Sequence, residues 1–107
     1  MTHVTIQTEK NETRISMVGH SGYGEGGGDI VCAACSVLIQ AMVNTMCALD
    51  VPVNWRQKPG EIHVAFENGN MQHRHVKAQG AYLTWKTGIE MLAGSYPENV
   101  KIEWKAG

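Results

Sequence analysis

The 107-residue chain predicts an α+β fold: a two-layer sandwich of two helices on a mainly antiparallel five-stranded sheet, in the order ββαββαβ. Three observations predict it. Apolar and polar residues alternate in five short runs, two longer runs repeat at helical spacing, and turn residues separate the first four short runs into hairpin pairs. No internal repeat, linker or low-complexity segment interrupts the pattern, so residues 1–107 read as one domain. A chain of this length buries roughly 60–70% of its unfolded surface without staples.

The elements follow in order. Val4 and Ile6, then Ile15 and Met17, alternate on either side of the turn-like Glu9-Lys10-Asn11-Glu12, and the second arm ends at Val18-Gly19-His20. After a glycine-rich stretch, Val31, Cys35, Leu38, Met42 and Met46 form one stripe of an amphipathic helix over about 30–48. Val51, Val53 and Trp55 alternate, Gln57-Lys58-Pro59-Gly60 turns, and Ile62, Val64 and Phe66 alternate again, a second hairpin closed by Glu67-Asn68-Gly69-Asn70. Ala78, Tyr82, Trp85, Ile89 and Leu92 predict a second helix over about 76–94, although Gly80 and Gly88 each cost about 1 kcal/mol against Ala. Gly94 stops it. Pro97 leads into a last strand through Val100, Ile102 and Trp104.

Composition excludes several classes of function. A net charge of −1 gives no clustered basic face for nucleic acid. His73, Arg74, His75 and Lys77 read as a small solvated loop face. No apolar run approaches the ~20 residues that span a membrane, and the N-terminus lacks the charged head and apolar core of a signal peptide. Three cysteines, an odd number, argue against a disulfide framework and for a reducing, cytoplasmic setting in which a thiol stays reactive.

The unusual stretch is Gly19 to Ser36, GHSGYGEGGGDIVCAACS. Gly22, Gly24 and Gly27 satisfy G-x-G-x-x-G, but the preceding strand belongs to a hairpin and the parallel βαβ unit of a dinucleotide site is missing. Cys32-Ala-Ala-Cys35 matches a redox C-x-x-C, yet Cys35 shares the apolar stripe, where a small buried hydrophobe fits. Zinc on His20, Cys32 and Cys35 would need a fourth ligand such as His73 or His75.

A nucleophile asks for fewer coincidences. With Asp29 as N-cap, Cys32 is the third residue of the first helical turn, where the partial positive charge of the helix end favours thiolate. His20 can return to Cys32 if the loop folds back, to exchange protons with thiol and leaving amine. Backbone N–H groups at the helix start suit a developing oxyanion. Against this stands a structural reading with a buried Cys32 and a surface His20, and spacing alone leaves the two level.

These residues resemble a family. Gly19-His20, then Asp29-Ile30-Val31-Cys32-Ala33-Ala34, then Ser36, resemble the signature of the ribosomal-processing cysteine proteases (Prp family), down to the twelve-residue interval from His to Cys. Residues 88–100 resemble that family's passage from last helix to last strand. The resemblance implies a bacterial cytoplasmic homodimer that needs no cofactor or metal. It implies removal of an N-terminal extension from a large-subunit ribosomal protein, after a motif ending in aromatic residues. Cys32 would be the nucleophile and His20 the general base and acid, with Gly22, Tyr23, Gly24, Glu25, Gly26, Gly27 and Gly28 a gating loop over substrate. Ser21 departs mildly from the usual Ala, Cys35 stands where a small apolar residue is typical, and the loop is unusually rich in glycine. The other expectations are a non-catalytic module docking on a ribosomal protein and a C-x-x-C redox protein.

Supporting residues have ordinary readings too. Asp29 either orients His20 or caps the helix, and capping is favoured. Ser36, one turn after Cys32, bonds near the thiol or back to its own helix. Cys47 is expected buried, the methionines core filler, the three tryptophans core or dimer anchors, and His3 and His63 solvent-facing.

Overall fold

A computed structural model describes residues 1–19, 30–68 and 73–106, with only the backbone of 73, 74 and 106. The elements are β1 (Thr2–Thr8), β2 (Glu12–Val18), α1 (Ile30–Ala48), β3 (Val53–Lys58), β4 (Glu61–Glu67), α2 (His73–Ser95) and β5 (Val100–Ala106). The strands form one sheet in the order β3-β4-β2-β1-β5. The β1–β2, β2–β4 and β3–β4 pairs are antiparallel, and β1–β5 is parallel. The predicted two-layer α+β class holds, with one parallel pair at the β5 edge.

Period-two alternation sends Val4, Ile6, Ile15, Met17, Ile62, Val64, Phe66 and Val100 to one face. Both helices cover that face. α1 buries Val31, Cys35, Ile39, Met42, Val43 and Met46. α2 buries Ala78, Tyr82, Trp85 and Ile89. Leu38 and Leu92, expected in these stripes, pack at the margin of the core. Gly88 lies where the helices meet, since a Cβ there would come within 2.9 Å of Leu38 Cδ2. The glycine that weakens the helical signal is thus what lets the helices approach.

α1 ends on a left-handed residue, Asp50 (φ 55°), and the Val51 N–H returns to the Met46 carbonyl at 3.0 Å. Val51 therefore closes a helix instead of opening a strand, and β3 begins at Val53.

Several expectations are corrected. α1 is long and apolar enough to cross a membrane by length and composition; Ser36, Gln40, Asn44 and Thr45 hid this from a search for unbroken apolar runs, and here its apolar stripe packs on the sheet. His75 belongs to no solvated loop: α2 starts early enough to include it, and it is 3% exposed. Cys47 is exposed, because it follows the buried Met46 and so turns about 100° away from the stripe. Trp85 is core, but Trp55 (52% exposed) and Trp104 (49%) stand on the outermost strands, where no further strand covers them. Lys86 Nζ sits 5.1 Å from the Trp104 ring.

Candidate active site

Three chain segments converge at one end of the sheet. Cys32 is the third residue of α1, half-buried, in the turn whose N–H groups lack intrahelical acceptors. Gly19 ends the β2 arm. Its N–H donates to the Gly60 carbonyl at 2.8 Å, and at its φ of +100° an added Cβ would collide with the Met1 carbonyl oxygen, which leaves no room for a side chain. The third segment is the β3–β4 turn itself.

Together they enclose a recess of about 80 Å³, lined by Cys32 and Ser36 from α1, Gly19 and Met17 from β2, and Lys58, Gly60 and Glu61 from the hairpin, among others. Cys35 and Ile39 form its floor, and Cys35, 3% exposed, belongs to the hydrophobic core. That is the packing role expected of it. The hairpin wall was read from sequence only as a turn. The β2–β4 register, with Val18 opposite Glu61, brings it beside Cys32, and no local motif signals such a pairing.

The wall carries charge. Glu61 Oε1 lies 2.7 Å from His63 Nε2, and His63 Nδ1 lies 3.0 Å from Ser16 Oγ. The tautomer with Nε2–H donating to the carboxylate leaves Nδ1 to accept the serine hydroxyl, which satisfies all three. The hydrogen bond from His63 first, and then Lys58, hold the Glu61 carboxyl below the usual carboxylate range.

His20, Asp29 and the loop residues Gly22, Tyr23, Gly24, Glu25, Gly26, Gly27 and Gly28 lie outside the described residues. Of the sequence-derived site, Cys32 and Ser36 share the recess, and Gly19, the neighbour of His20 in sequence, borders it. Among the described residues no three His, Cys, Asp or Glu side chains are placed to hold a metal ion. His75 cannot complete a zinc site with Cys32: it lies beside Thr8 and Thr13, whereas the Cys32 recess includes Thr2 and Met17, about 20 Å away along β1.

A cysteine at a helix start, walled by a pinned strand end, is a place where a thiolate can meet an extended chain. The family model for cysteine protease Prp matches residues 1–101. The chain belongs to the Prp cysteine protease family. It is 28% identical over 105 residues, 95% of either chain, to the ribosomal processing cysteine protease Prp of Staphylococcus aureus (strain Mu50). It is also similar to a crystal structure of an essential ribosomal processing protease Prp from S. aureus in complex with a covalently linked product peptide. There the TM-score is 0.83 and the identity 25%, over 98% of this chain and all of that one. The crystal structure of SMU.848 from Streptococcus mutans matches with TM-score 0.73 and 28% identity, over the whole of this chain and 96% of the other. Membership makes this a cysteine protease.

Proposed function

We propose that this protease removes an N-terminal extension from a large-subunit ribosomal protein, cutting after a motif that ends in aromatic residues. In this reading Cys32 is the nucleophile and His20 the general base and acid. The observation that carries it is the seat of Cys32, on the first turn of α1 in a recess bordered by the residue preceding His20.

The steps balance as follows. The Cys32 proton passes to the His20 imidazole, and Sγ bonds to the scissile carbonyl carbon. N–H groups of the first turn of α1 receive the oxyanion. The C–N bond breaks, and the leaving amine takes the proton from the imidazolium. Water then gives a proton to His20 and attacks the thioester; the C–S bond breaks, releasing the carboxylate, and the thiol is restored. In the same reading Asp29 and Ser36 are supporting residues, and residues 22–28 gate the substrate. No metal or cofactor enters.

The half-exposed Trp55 and Trp104 on the two outer strands support a homodimer, which sedimentation at micromolar concentration tests. Three cysteines standing as thiols suit the reducing cytoplasm of a bacterium. The direct test is incubation with a leader peptide ending in aromatic residues. Wild type cleaves it, and Cys32→Ala and His20→Ala do not. Cleavage by Cys32→Ala at the wild-type rate overturns the proposal; no cleavage by wild type, with the peptide still bound by all three proteins, supports a docking module instead.

A further inference from the structure

The Cys32 recess is one segment of a longer groove. A second recess of about 150 Å³, between α1 and the outer strand β3, is lined by Gln40, Val43, Asn44, Trp55, Gln57 and Ile62. Three of these, Gln40, Gln57 and Ile62, also line the recess that holds Cys32, so the two recesses are continuous. Helical spacing makes one wall: Cys32, Ser36, Gln40 and Val43 (i, i+4, i+8, i+11) follow one face of α1. Strand alternation makes the other. Gln57 and Trp55 pair across the strands with the buried Ile62 and Val64, which puts both on the helix-bearing face of the sheet.

The far segment has its own character. Val43 and Ile62 are buried and form an apolar floor, while Trp55 beside them stays 52% exposed. A half-open indole next to an apolar floor still has apolar area to bury, and rings pair favourably with rings. A volume of about 150 Å³ is that of a cavity that takes a benzene ring. Gln40, Asn44 and Gln57 are exposed and edge the segment with carboxamides that donate to and accept from a peptide backbone.

We infer that this far segment is a substrate subsite, taking an aromatic side chain about four or five residues before the bond that is cut. The occupant follows from the continuity of the groove. A peptide held at Cys32 and laid along α1 reaches Val43 over a rise of about 16 Å, which an extended chain covers in roughly five residues. Among the described residues β3 pairs only with β4, so its outer edge offers backbone groups that keep such a chain extended. The ring follows from Trp55 and the size of the segment. The side of the bond follows from the reaction proposed above, in which recognition precedes the cut; the subsite rests on that reading, with Cys32 as nucleophile.

The probes are leader peptides with one common aromatic-ending motif, carrying either Ala at both the fourth and fifth residues before the bond or Phe at one of them. Their binding to Cys32→Ala is measured by calorimetry, so the result does not depend on cleavage. A Phe peptide is expected to bind at least about tenfold more tightly than the Ala peptide. Adding Trp55→Ala, a change at an exposed position, cuts that advantage to about threefold or less, and Phe at the tenth residue, beyond the groove, brings none. Wild type shows the same preference in kcat/KM. Selective binding without any cleavage by wild type supports the subsite and sinks the protease mechanism instead. No advantage for Phe, or one that survives Trp55→Ala, overturns the subsite. Sedimentation of Trp55→Ala reads the rival occupant, a second copy of the chain: loss of a dimer with the Phe advantage intact also overturns it.

Discussion

Gly19 donates its N–H to the carbonyl of Gly60 at 2.8 Å, which ties the end of β2 to the hairpin turn that walls the Cys32 recess. Gly19 is the residue before His20 and holds a φ of +100°, at which any Cβ would run into the Met1 carbonyl oxygen. One bond therefore links the strand feeding the candidate base to the wall of the candidate nucleophile's recess.

Gly19→Ala should test that linkage. A Cβ at this dihedral meets both backbone strain and the Met1 carbonyl, and a strained backbone position of this kind is worth about 1–3 kcal/mol. Thermal unfolding should shift down by roughly 4–8 °C per kcal/mol, and peptide cleavage should fall more than the lost folded population explains. A variant equal to wild type in both would show that the strand end does not position the site.

Gly88 and Gly80 should respond in opposite directions. Gly88→Val drives side-chain atoms into Leu38 at the helix contact and should lower stability by about 1–3 kcal/mol. Gly80→Ala enters open space and should raise it by roughly 0.5–1 kcal/mol. Urea unfolding of the two variants beside wild type reads both signs.

Asp50 closes α1 in the left-handed region, which costs a non-glycine residue roughly 1–2 kcal/mol. Asp50→Gly should recover about half of that, the remainder being offset by a more flexible unfolded chain. A lower melting point for the variant would mean that the Asp side chain itself stabilises the cap.

The Glu61 carboxyl is held below its ordinary range by His63 and then Lys58. A carboxyl depressed in the folded state stabilises the fold above its unfolded pKa, and that stabilisation is lost as pH falls through the folded value. Glu61→Gln should therefore unfold more readily than wild type near pH 6, with the gap closing below the usual carboxylate range. A gap independent of pH would contradict the linkage.

Much of this architecture is legible in the sequence because single periodicities report single faces. The stripe of Val31, Cys35, Met42 and Met46 marks α1 at its observed bounds. The alternation of Ile62, Val64 and Phe66 marks β4. Pairing is not legible in this way. That β5 lies parallel against β1, or that Lys58 and Glu61 wall the Cys32 recess, depends on contacts between segments distant in the chain. His75 was read by its charged neighbours and not by its helical position one turn before Ala78, the phase that buries it. Trp55 and Trp104 carry strong core signals, yet edge strands leave them half open. Within the site, the place of Cys32 at a helix start was legible from the apolar stripe that follows it, while spacing alone left its role as nucleophile level with a structural one. The hairpin wall was not legible.

The central claim is that the sulfur of Cys32 attacks the substrate. Intact-mass and peptide-mapping spectrometry after treatment with a chloromethyl ketone built on the aromatic-ending leader sequence tests it most directly. The account predicts one adduct per chain, on Cys32, lost in His20→Ala and absent from the exposed Cys47. An adduct on Cys47 with Cys32 unmodified, or full peptide cleavage after Cys32 is blocked, would contradict it.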